Sequence, residues 1–109
     1  MSDLTISHAS RYLDELLNVL DDAYWEASSM DRKDLIYGII STLHQERGEL
    51  AKLSIQDHDM LYQPVSSNFK DLGIKLKMLR RQIDELILRP KTAATLEPLI
   101  TKVSSMIQP

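Results

Sequence analysis

From Asn68 to Pro90, the apolar residues Phe69, Leu72, Leu76, Leu79, Ile83 and Leu86 return at spacings of 3, 4, 3, 4 and 3. This rhythm predicts one long helix packed lengthwise against others. Asn68 with Asp71 three residues on suits its start, Arg89 the negative end of its dipole, and Pro90 its termination. The same rhythm carries Leu13, Leu16, Leu20, Ala23 and Ala27 through a first helix from about Ala9 to Ala27, with Ser7 or Ser10 as its cap and an acidic outer face. A second helix follows the link 28–31, capped by Asp31 with Asp34 three residues later. Its stripe is Ile36, Ile39, Leu43, Leu50 and Leu53; Glu46 or Arg47 interrupts it for one turn, and Gly48 marks a bend, an end or a close approach.

After residues 54–57, a second capping-box pattern, the stretch 58–67 fits at most a short helix and a link that Pro64 ends. Residues 91–94 read as a loop, and a last helix is capped by Thr95 with Pro98 in its first turn, burying Leu96, Leu99, Ile100, Val103, Met106 and Ile107. The expected fold is all-α: one domain, an antiparallel, up-down four-helix bundle. Three helices would run on the order of 30 Å and the fourth about 18 Å. A short fourth helix leaves part of the core open, lined by Tyr12, Leu16, Leu50, Leu53, Phe69 and Leu72. If residues 55–65, with Ile55, Met60, Leu61 and Tyr62, fold back, the domain is closed. If they do not, the gap is an apolar groove for a partner protein or a second copy of the chain.

At 109 residues the chain can bury a single core without staples. The absence of cysteine excludes disulfides, thiolate metal sites and cysteine nucleophiles. The acidic start and the lack of any bilayer-length apolar run lead us to expect a cytoplasmic protein with no membrane association. Net charge is only −3, but residues 1–66 hold 12 acidic and 5 basic side chains against 4 and 8 in residues 67–109. The overall balance argues against a nucleic-acid partner; the polarity favours matching with a charged protein surface.

His44 is followed by Arg47 at three positions and Gly48 at four, so on a helix the cation shares the next turn and the glycine relieves crowding. This spacing resembles that of the histidine-containing phosphotransfer domains, helical bundles of similar size. The resemblance implies that His44 would accept phosphate from a response-regulator aspartate. Glu46 stands where that family carries an apolar residue and Glu49 where it carries a small one; a carboxylate beside the phosphoryl group would repel it.

Asp57, His58 and Asp59 are metal-capable, but neighbours on a helix point about 100° apart, so no metal and no cofactor is expected. Lys70, Lys77, Arg80 and Arg81 form a basic face on the third helix, with Lys75 beside them. The i,i+4 pairs Asp71–Lys75, Arg80–Asp84 and Arg81–Glu85 offset its field. Trp25 either anchors a partner or closes the bundle end. No nucleophile, base and orienting group converge, so no enzymatic activity is expected. The expectation is a regulatory interaction module, adaptor or chaperone-like; the alternative is phosphotransfer through His44.

Overall fold

A threonine in extended backbone starts the first helix: Thr5 Oγ1 accepts the His8 N–H at 3.2 Å and caps α1 (Ile6–Glu26), upstream of both serines expected to do so. Ile6, Ala9, Leu13, Leu16, Leu20 and Ala23 are buried along it, the period-3.6 stripe with one more turn at its start. The computed structural model describes residues 4–27, 29–53, 56, 59–82 and 90–107. Ser29, not Asp31, caps α2 (Met30–Ala51), accepting the Arg32 N–H at 3.3 Å, while Asp31 sits in the first turn where the helix dipole favours an acid. The helix runs through Gly48, and a methyl group there would meet nothing within 4 Å.

The expected long helix from Asn68 is divided. Ser66 caps a single turn, α3 (Ser67–Lys70), through the Phe69 N–H at 3.1 Å. A turn at Asp71 and Leu72 intervenes, and α4 (Gly73–Arg81) follows. Phe69, Leu72, Leu76 and Leu79 still face the core across the break, which is why the seam alone did not reveal it. Ile83 and Leu86 lie outside the described residues.

The last helix is the opposite case: α5 (Pro90–Ile107) begins at Pro90 and absorbs the expected loop. Proline suits a first helical position, where its missing N–H costs nothing and its φ is already helical. Thr95 does not cap; its hydroxyl donates to the Lys91 carbonyl at 2.9 Å. Pro98 therefore stands inside the helix, on its exposed side.

Contacts fix how the helices run. Lys33 reaches the Tyr24 carbonyl and Arg47 reaches Asp14, so α2 runs antiparallel to α1. Thr92 meets Glu26 while Lys102 lies over Tyr12, so α5 also runs antiparallel to α1. Asn68 meets Gln45, and Lys75 Nζ lies 3.3 Å from where a Cβ of Gly38 would stand, which sets α3 and α4 antiparallel to α2. Their stripes meet in one core. The described residues form no strand, only an isolated antiparallel bridge between Thr5 and Leu61. None of their helices is long and apolar enough to cross a membrane.

Candidate interaction surface at the capped end

Glu46 lies three residues after Leu43 and four before Leu50, so helical geometry drives its carboxylate into the apolar stripe, where it is fully buried. An ionised carboxylate is tolerated there only with donors around it. Three are supplied by one stretch of chain some twenty residues further on. Tyr62 OH donates to Oε2 at 2.5 Å, the Val65 N–H to Oε2 at 2.9 Å, and the Ser66 N–H to Oε1 at 2.8 Å. Ser66 in turn caps α3, so the carboxylate also fixes where that turn begins. The far side of the segment is tied to the start of α1 by Tyr62 N–H to Leu4 O at 2.7 Å and Ile6 N–H to Met60 O at 2.9 Å. The Tyr62 ring packs edge-on against Phe69, with ring centres 6.4 Å apart. Its phenol is held well above the ordinary tyrosine range, first by burial, then by the hydrogen bond it donates to Glu46 and by that group's charge.

The expected open groove is therefore filled. Leu16, Leu50 and Phe69 are wholly buried and Leu72 nearly so. Tyr12 is partly buried, with Arg11 and Lys102 lying 5.8 and 5.1 Å from its ring centre. Two causes act together: the 59–66 segment folds back, and the longer α5 extends past Tyr12 until Ile107 lies beside Gly73. Of the expected lining, only Leu53 stays at the surface. The cap has an apolar outer face, where Met60, Leu61 and Val65 are 60%, 62% and 49% exposed. Ile55 lies outside the described residues.

His44 is exposed, but its expected companions are elsewhere. Arg47 is paired with Asp14 at 2.8 Å, Gly48 faces open space, and Glu46 points into the core. Lys70, Lys77, Arg80 and Arg81 are exposed, and the last three of the chain's basic run, Lys77, Arg80 and Arg81, border a shallow cleft of about 440 Å³. Asp71 and Lys75 do not form the expected pair among the described residues; Asp84 and Glu85 fall outside them, as do Asp57 and His58. Trp25 is 73% exposed and does not close the core. It stands edge-on to Tyr24, and the Lys33 ammonium lies 4.7 Å from the Tyr24 ring centre and 5.6 Å from that of Trp25.

The chain matches no protein-family model, no curated protein and no solved structure. Its chemistry is therefore read from its own residues. The pair that sequence reasoning missed is Glu46 with Tyr62. The available signal was phase: Glu46 falls on the apolar stripe of α2, and a carboxylate at such a position implies donors from elsewhere in the chain.

Proposed function

We propose that the protein is a small interaction module that docks another protein on the outer face of its cap, at the end where α2 finishes and α1 begins. We read its helix order as an up-down-up-down bundle, on the antiparallel pairings of α2 and α5 with α1 and of α3 and α4 with α2. The observation that carries the functional reading is the two-sidedness of residues 60–65. Their inner side is fastened to a buried carboxylate, while Met60, Leu61 and Val65 are held out in water. Large apolar side chains displayed by a fastened segment favour docking, because little order remains to be lost on binding. Methionine adds adaptability to the surface.

Site-specific photocrosslinking in cells tests this reading. A crosslinker at Leu61 is expected to give a discrete adduct, and one at the exposed Asn18 of α1 none; equal yields from both positions contradict it.

The phosphotransfer reading keeps one point in its favour, since Glu46 turns inward and removes the carboxylate that would have stood beside a phosphorylated His44. Labelling by a phospho-regulator, lost in His44→Ala, would establish it. Label unchanged by the substitution would end it.

A further inference from the structure

The outward side of α4 carries apolar side chains that the core does not use. Leu76 and Leu79 turn inward, while Ile74 and Met78, one helical turn apart on the solvent side, are 73% and 42% exposed. An exposed isoleucine adds nothing to α4 locally, since straight-chain polar residues form helix better. Lys77 and Arg81 stand one turn apart beside this ridge, and with Arg80 they border the shallow cleft of about 440 Å³. Its described lining is cationic throughout. Among the described residues none of the three has an ion-pair partner, and like charges at these spacings repel. The acids of α1 do not answer them: Glu15, Asp21 and Asp22 are exposed on a helix that packs against α2 and α5.

We infer that the outer face of α4 docks an acidic amphipathic helix of a partner protein. An apolar ridge at i and i+4 packs lengthwise against the stripe of another helix, so Ile74 and Met78 select an apolar stripe. The cationic cleft beside the ridge selects carboxylates flanking that stripe, and the arginines grip them in parallel pairs of hydrogen bonds. Pairing with the partner also relieves the repulsion among the three cations. With nine residues α4 is only about 14 Å long, so the contact is small and exchanges quickly. An anionic lipid surface would match the charges but not the shape: two apolar side chains, on a short helix whose other side is buried, are too few to insert. The assignment does not depend on the cap being used.

The experiment is an NMR titration of the intact, isotope-labelled protein with a blocked peptide of two Glu-Leu-Leu-Glu-Glu-Leu-Glu heptads. Two control peptides accompany it: one with glutamine for every glutamate, and one of the same composition with its leucines scattered around the helix. Saturable shifts of the α4 amides are expected with the acidic amphipathic peptide, weakening as salt is raised, and both controls should bind about tenfold more weakly. Lys77→Glu and Arg81→Glu should each weaken binding about tenfold, the loss of one charge-assisted contact. Ile74→Gln should weaken it several-fold. All three residues are exposed and each substitute is a good helix former, so the fold is kept, which unchanged circular dichroism checks. Absent saturation, shifts centred away from α4, a control that binds equally, or variants that bind undiminished overturns the assignment. Binding to phosphatidylserine vesicles without binding to the peptide overturns it in favour of a membrane. Self-association of the chain that Lys77→Glu abolishes overturns it in favour of a second copy.

Discussion

Glu46 concentrates the cost and the specificity of this fold in one side chain. Its two oxygens take three donors from residues 62–66, and a group so placed is worth more as a fastening than as a contributor of net stability. Glu46→Gln turns an amide donor toward backbone N–H groups that need an acceptor; a loss of about 2–3 kcal/mol in urea unfolding is expected. Tyr62→Phe removes one charged hydrogen bond and should cost about 1.5–3 kcal/mol. The double variant should lose less than the sum, because both changes break the same bond. The tyrosine also sets a pH dependence. Its ionisation is raised in the folded state, so its stabilisation is fully present below the unfolded-state value, about pH 10, and is lost as pH rises beyond it. The stability difference between wild type and Tyr62→Phe should narrow in alkaline solution, and a gap that widens there would contradict the assignment.

Among the elements, α1 was the most legible in the sequence, because Leu13, Leu16, Leu20 and Ala23 are placed by local periodicity and all four are buried. Glu46 was in plain view but read as an interruption, since its partners lie sixteen to twenty residues away in a segment with no periodicity of its own. The start of α5 was misplaced for a different reason. Thr95 and Pro98 form a good local start signal, and Pro90, usable as either stop or start, began the helix upstream of both. Of the candidate site, Met60, Leu61 and Tyr62 were recognised as a cover for the core. The split between an inward Tyr62 and outward neighbours needed the hydrogen bonds to Leu4, Ile6 and Glu46. Two substitutions test the element boundaries. Pro98→Ala should stabilise the protein, by up to about 3 kcal/mol, because an exposed interior proline forfeits a helix hydrogen bond and crowds residue 94. A helix beginning only at Thr95 would leave Pro98→Ala near neutral. Gly48→Ala, with open space around the new methyl, should add about 0.5–1 kcal/mol in thermal unfolding; destabilisation would mean that α2 bends or is closely approached there.

At the scale of the whole molecule, the chain closes one core inside a body measuring 42 × 22 × 20 Å. Leu72, only 2% exposed, belongs to that core. Leu72→Asp should therefore unfold the chain rather than dissociate an otherwise intact dimer, and circular dichroism distinguishes the two. The cap matters most, because the proposed docking face exists only while residues 60–66 are held down.

Amide hydrogen exchange at Val65 and Ser66, read by NMR in the wild type and in Glu46→Gln, tests this fastening most directly. Both N–H groups should be protected in the wild type. In the variant they should exchange much faster while the Leu43 amide in the middle of α2 stays slow. Rapid exchange of Val65 and Ser66 in the wild type, or protection unchanged by the substitution, would contradict the account.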